Sequence, residues 1–571
     1  MKRLKLSELE AISECPSTGA AEWLLGAEDS VSFLKANSNN DEIIIYASGR
    51  SVLIHGVLVP TANVSPPDKN DLQYGDFPAL DDSWAIQRVW GGGEGHRMYL
   101  EPPLNSSGSK SFKDGEKLIY RRSFNGVQQD PTPFELSQKL VHSLGLYFVP
   151  ERKAYCRLDA RGDIEDVIKV IQPERVDAER GVSAVVILRK DLEKFMALSE
   201  TYLVLRFDFT RVRWGSFSDW DNIEHYEKEE PDLLFYHGGK SGQGSFVNGA
   251  MIIRPQITVD ELVKKWKDEE DPKNRQYAKF KIYDRKNSTN VETSCASEFL
   301  SNYFQQSNLP WEISPAFFRP EVLHRFKADP EKYTLDDRSI SCRNAWYLKS
   351  FDINEAGQVH AYIGDLANLP YEEQLYWQSF NVWPEGTISD RAHQNDILGE
   401  WSSAYDPLIS LKNTILKLDK SAPEWWQPRG EELSNATRYP ATDSPKEWGD
   451  EILALDQLLA EGFLIKPLKV LAGTSGRKID SSWGSLKVLQ EALIGKGLSE
   501  QDAKALVVPI QKVHGLRTTV KGHATSDKKK VAVIEARTKH DNFRAHFTQM
   551  ASDCDKALKE ILTVFGIVIE G

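Results

Sequence analysis

The chain has 571 residues, 40% hydrophobic and 27% charged, with a formal charge of −13. That balance belongs to folded globular chains and excludes a disordered or fibrous one, and the length corresponds to about three or four domains of roughly 150 residues. The acidity excludes a protein that is basic throughout, so any polyanion site has to be local.

In chain order, the first strong pattern is a hairpin. Glu42-Ile-Ile-Ile-Tyr-Ala, a Ser-Gly-Arg turn and Ser51-Val-Leu-Ile-His-Gly-Val-Leu-Val have the lengths and β-branched content of two paired strands. Ala184 to Leu188 and Tyr202 to Phe209 are further strand candidates. Phe134 to Leu146 has apolar residues at helical spacing after a Pro-Thr-Pro start, and Val259 to Trp266 is a second short helix. Two Gly-rich stretches, beginning at Gly91 and His237, read as surface loops. The second contains Gly239-Lys-Ser, the end of a phosphate-binding loop, but that pattern needs a Gly at 234, where Leu stands.

From 340 to 440 aromatics crowd the chain, among them Trp346, Trp377, Trp401, Trp425 and Trp426, and a buried core is expected of them. Leu366 to Phe380 and Asp406 to Leu418 read as helices, and Lys420 to Lys446, rich in Pro, Ser, Thr and charge, as a linker. Beyond it helical periodicity takes over. Trp448 to Phe463, Ser485 to Leu493 and Ser499 to Leu516 are amphipathic, with Pro509 expected to kink or restart the third. Phe543, Phe547, Met550, Cys554, Leu558, Ile561 and Phe565 form the stripe of a long fourth helix. The expected fold is α+β: a strand-rich mixed region over 1–340, an aromatic-rich helical connector over 341–440 and an all-α bundle over 441–571.

Five cysteines, at 15, 156, 295, 342 and 554, are odd in number and far apart, without zinc-site spacing. Reduced thiols in a cytoplasm and no metal site are the expectation. The charged start lacks the apolar core of a signal peptide and no run of ~18 apolar residues exists, so no membrane span is expected. The acid clusters Asp163-Ile-Glu165-Asp166 and Asp219-Trp-Asp221 read as solvated surface, and no hydrolase elbow, HExxH or kinase motif is present.

Chemistry is concentrated at His514-Gly-Leu-Arg517-Thr-Thr-Val-Lys-Gly-His523. Ile510, Val513, Arg517 and Val520 fall at helical spacing, which puts a guanidinium on an apolar stripe, where it needs a carboxylate, carbonyls or an anionic ligand. Charge also inverts locally: 511–546 holds nine Lys and Arg against three acids, and four of the twelve His. A basic, His-rich patch on an acidic chain is the footprint of a polyanion site.

A C-terminal helical bundle carrying Arg517, five residues and His523 resembles HEPN domains, whose signature is R-x4-6-H. The resemblance covers roughly 445–571. Many members carry Asn, Asp or His after the Arg, where this chain has Thr518. The resemblance implies a metal-independent endoribonuclease that needs no cofactor. An RNA 2′-hydroxyl would attack the adjacent phosphate, with His523 moving the proton and Arg517 holding the phosphate. Lys521, Arg537, His540 and Arg544 would follow the RNA backbone, the last two as an i, i+4 pair, while Lys528-Lys-Lys reads as a solvated loop. Family members commonly build the site across a two-fold dimer, which would let Arg517 face a partner. The whole then resembles an antiphage, abortive-infection effector whose N-terminal region binds a phage-derived trigger and restrains the nuclease. The alternative is a non-catalytic scaffold that uses the bundle to dimerise.

Overall fold

The computed structural model describes every residue except 1–2, 65–68, 79–82, 92–94, 105–111, 123–125, 127–132, 174–180, 214–216, 218–219, 221, 232–233, 401–404, 443, 475, 522–525, 541 and 568–571. Asp219, Asp221, Trp401 and His523 thus lie outside the described residues. The protein is α+β, in two compact units, Met1–Arg275 and Gln276–Gly571.

The first unit is built on an eleven-stranded antiparallel sheet. From edge to edge it runs Glu224–Glu230, Leu234–Ser241, Gly244–Ile253, Thr201–Val212, Leu53–Pro60, Glu42–Ser48, Ser183–Leu188, Ile164–Ile171, Ala154–Leu158 and Tyr147–Val149, with Glu116–Lys117 paired to Leu53–Pro60. The hairpin expected at 42–59 is its centre, with Tyr46 opposite His55. Both faces are covered. Leu203, Leu205, Phe207 and Phe209 join one apolar cluster with Leu192 and Met196, while Val204, Val57 and Ile252 join another on the opposite face. Period-2 alternation therefore sorts residues between two cores, not between core and water.

Two expectations change here. Phe134–Leu136 is a strand on Ile119–Arg121, and only Gln138–Ser143 is helical, because the Ser137 hydroxyl accepts from the amide of Leu140 and starts the helix there. The Gly239-Lys-Ser stretch is no loop: Leu234–Ser241 and Gly244–Ile253 pair along their length. A Cβ on Gly238 would lie 2.2 Å from the Tyr226 hydroxyl, so glycine serves close strand packing. A phosphate loop must open a helix, and this turn joins two strands.

The second unit opens with a smaller antiparallel sheet, in the order Thr289–Ser294, Lys279–Asp284, Pro315–Phe318, Val359–Tyr362, Asp352–Ile353, with Asn381–Val382 on Pro315–Phe318. Phe280, Phe318, Phe326, Trp346 and Trp377 form its core. Strands thus continue as far as Val382, inside the stretch expected to be a helical connector. The 420–446 stretch is not a linker either. Trp425 and Trp426 are buried against Phe463, and the Trp426 indole donates to Asp419 at 2.7 Å.

From Pro407 onward the named elements are all helical. Pro407–Ser421, Pro445–Leu459, Ile465–Gly473, Ser485–Gly495, Glu500–Lys521 and Phe543–Val564 share one apolar cluster. Glu500–Lys521 runs on through Pro509 and carries the His514 to Lys521 segment. Ser526–His540, polar on most sides, is a helix that periodicity does not reveal. No described helix is long and apolar enough to cross a membrane.

Candidate functional site

The site grows from the packing of two helices. The motif helix, Glu500–Lys521, begins where the Ser499 hydroxyl accepts from the Asp502 amide and donates to its carboxylate. It buries Val507, Ile510, Val513 and Val520. At the edge of that face stand His514, Arg517 and Lys521, at i, i+3 and i+7. Opposite lies the acid helix, Pro445–Leu459, with Trp448, Ile452, Leu455 and Leu459 buried.

Asp456 is the centre of the junction. Its carboxylate is 0% exposed and takes the His514 Nδ1 at 3.0 Å and the Arg517 Nε at 3.7 Å. Burial pushes the Asp456 carboxyl above the usual carboxylate range, and the neighbouring His514 and Arg517 pull it back down. Arg517 Nη2 also lies 3.8 Å from Glu461, and Lys521 pairs with Asp450. The guanidinium placed on an apolar stripe thus finds its carboxylate within its own chain, so its position needs no partner subunit to explain it.

This geometry leaves chemistry available. His514 is half exposed, and its Nδ1 faces a buried carboxylate. An Nδ1–H donated to Asp456 leaves Nε2 as the basic nitrogen on the open side. Both Arg517 contacts exceed hydrogen-bond distance, so among the described residues nothing takes up its N–H donors, which an anion could engage. His514, Arg517 and Lys521 span roughly 10 Å along one helix face. His523, the other expected catalytic residue, follows Lys521 by two positions, outside the described residues.

At the Lys521 end the face opens onto a groove of about 550 Å³. Lys446, Lys521, Lys529 and Lys530 line it over a floor of Pro445, Val520, Val533 and Ile534, and no carboxylate is among the described lining residues. Lys528 to Lys530 are therefore not a solvated loop. They occupy the first turns of the Ser526–His540 helix, with Asp527 beside them at its positive end.

The other expected RNA contacts lie elsewhere. Arg537 stands over the Phe543 ring at 4.9 Å. His540 ends one helix, and Arg544 belongs to the next, whose start is set by the Asn542 side chain accepting from the Ala545 amide. They are not an i, i+4 pair. His540 meets His546 edge to face, and His546, which accepts the Trp448 indole N–H at 3.3 Å, is pushed down to about 4, first by burial and then by His540 and Lys539. Arg544 opens into a different cleft, beside Tyr439. The acid cluster at 163–166 is an ion-pair ladder: Glu165 joins Arg157 and Lys190, and Asp166 joins Arg152.

Sequence reasoning missed Asp456, Glu461, Lys446 and the lining role of Lys529 and Lys530. Asp456 had a signal. It falls on the stripe of Ile452 and Leu459, a charge on an apolar face, as Arg517 does on its own helix. No protein-family model, no curated protein and no solved structure matches the chain.

Proposed function

We propose that the helical bundle is a HEPN-like endoribonuclease that cuts RNA by 2′-hydroxyl attack and leaves a 2′,3′-cyclic phosphate. One observation carries this reading: His514, Arg517 and Lys521 share a helix face, with a buried carboxylate behind the first and a four-lysine groove beyond the last. A polyanion would enter along the lysines, where electrostatic attraction needs no sequence information. Arg517 would hold the scissile phosphate and stabilise the charge built up on it. The 2′-O to phosphorus bond forms as its proton passes to His514 Nε2. The phosphorus to 5′-oxygen bond breaks as that oxygen takes a proton from His523. Asp456 positions His514 and compensates the imidazolium. The reaction draws on no metal or cofactor. In this reading the protein works as a homodimer in an antiphage system. The Met1–Arg275 unit binds the trigger and holds the nuclease in check.

The test is cleavage of total cellular RNA by the purified protein in EDTA. Wild type is expected to cut with cyclic-phosphate ends. Arg517→Ala and His523→Ala are expected to lose about a hundredfold or more. Cutting that persists in both variants would sink the assignment. The rival reading, a non-catalytic scaffold, draws on the Arg517–Asp456 pair as a purely structural tie. It predicts no cleavage by wild type even with trigger present, and a loss of stability in Arg517→Ala.

A further inference from the structure

A second cleft in the Gln276–Gly571 unit, about 1020 Å³, lies between its small sheet and the start of the Phe543–Val564 helix. That size is near the top of the range for small-molecule sites, roughly 300–1,000 Å³. Arg544, in the first turn of that helix, lines it.

Among the described residues the Arg544 guanidinium has no carboxylate, carbonyl or hydroxyl partner. It rests on the Tyr439 ring, 4.8 Å from the centroid. The nearby acids are committed elsewhere. Asp352 accepts two bonds from Arg391, at 2.9 and 2.8 Å, and one from the Ser389 hydroxyl. Asp406 accepts from the Tyr439 hydroxyl at 2.7 Å and from the Ile409 amide. Arg544 is half-buried, desolvation lowers its pKa, and no described residue puts a counter-charge in contact with it. The cleft's other guanidinium, Arg319, is tied to the Ser379 carbonyl at 3.1 Å and lies over Phe380.

We propose that this cleft binds a compact phosphate-bearing ligand of nucleotide class, with its phosphate on Arg544. The charge pattern selects that chemistry over a polymer. Arg319 and Arg544 share the lining with three exposed carboxylates, Glu355, Glu385 and Asp390. An RNA strand, charged at every step, would meet as much repulsion as attraction there. A nucleotide carries its charge at one end and hydroxyl and amino donors at the other, which suits a guanidinium inside and acids at the rim. Ile353 and Val382 supply apolar wall for a flat base. The lysine groove, whose described charged lining residues are all cations, has the opposite pattern.

Calorimetry on the full-length protein tests this, with ADP, adenosine, pyrophosphate and a short single-stranded oligoribonucleotide as probes. ADP is expected to bind saturably, to be displaced by pyrophosphate, and to bind at least about tenfold more tightly than adenosine. Arg544→Gln should weaken ADP by about tenfold or more. Ala545→Glu should do the same from an exposed wall position, by adding a carboxylate to a helix that tolerates it. The double variant Lys529→Ala, Lys530→Ala should leave ADP binding unchanged. The proposal is overturned if ADP and pyrophosphate fail to bind wild type at about 1 mM. ADP binding unchanged in Ala545→Glu overturns it too, as does oligoribonucleotide binding weakened as much as ADP by both cleft variants. None of these outcomes depends on whether the protein cuts RNA.

Discussion

Two arginines in each unit, Arg206 and Arg211 in the first and Arg517 and Arg544 in the second, are held in different ways. In the Met1–Arg275 unit, Arg206 is fully buried and donates to the carbonyls of Leu72 and Gly75, with its guanidinium 5.2 Å from the Phe77 ring. Arg211 donates to the Trp23 carbonyl and the Ser30 hydroxyl, and lies over the Trp23 indole. Burial lowers both to about 10. In the second unit, Arg517 has carboxylates beyond bonding distance, and Arg544 has a ring and, among the described residues, no oxygen partner. Oxygen acceptors on both terminal nitrogens, as at Arg206 and Arg211, fix a guanidinium in place and make it a cross-brace. A guanidinium whose donors stay open is the one a phosphate can claim.

The largest break in that contrast is expected at Arg206. Arg206→Met leaves the buried Leu72 carbonyl and the half-buried Gly75 carbonyl without donors and should destabilise the first unit by about 3 kcal/mol in chemical denaturation, with RNA binding unaltered. Next comes Asp456→Asn, which keeps the shape but no longer holds His514 in one tautomer. RNA cleavage should fall about a hundredfold, roughly 2.7 kcal/mol of barrier, and its pH–rate profile should shift while the unfolding midpoint moves little. A smaller effect is expected from Lys529→Ala with Lys530→Ala. Oligoribonucleotide affinity should drop about tenfold, and the slope of log affinity against log salt should shallow by about 1.4 in a titration series.

The smallest effect concerns protons. His546 and His360 are held at about 4 in the fold against 6.5 free, first by burial. Each stays neutral in the native state and takes a proton on unfolding below 6.5. Stability should therefore be full above that value and decline as pH falls towards about 4. Thermal unfolding at about pH 7 and about pH 5 should show the fall, and His546→Gln should reduce it.

How much of this was legible depended on whether the signal was local. The 42–59 hairpin and the Phe543–Val564 stripe were, because period and turn residues lie within a few positions of one another. The strand at Gly238 was not, since what demands glycine there is Tyr226 on a neighbouring strand. Trp425 and Trp426 looked like part of a linker because the surrounding Pro, Ser and charge outvoted two side chains that pack on Phe463. The Ser526–His540 helix has no stripe to read. At the site, Arg517 was visible as a charge on an apolar face. Its answering charge, Asp456, was visible by the same rule, but nothing in a single sequence pairs two such residues across sixty positions.

The helix that carries Lys529 and Lys530 buries Ala536 alone among its described side chains. So little anchoring makes it the segment of the bundle that should unfold locally before the rest and exchange its amide hydrogens fastest. One wall of the lysine groove is then an ordering equilibrium, and a bound polyanion would pull it towards the folded side. Measured affinity would include the entropy of freezing that wall, and bound RNA would be recorded as slowed exchange along 526–540.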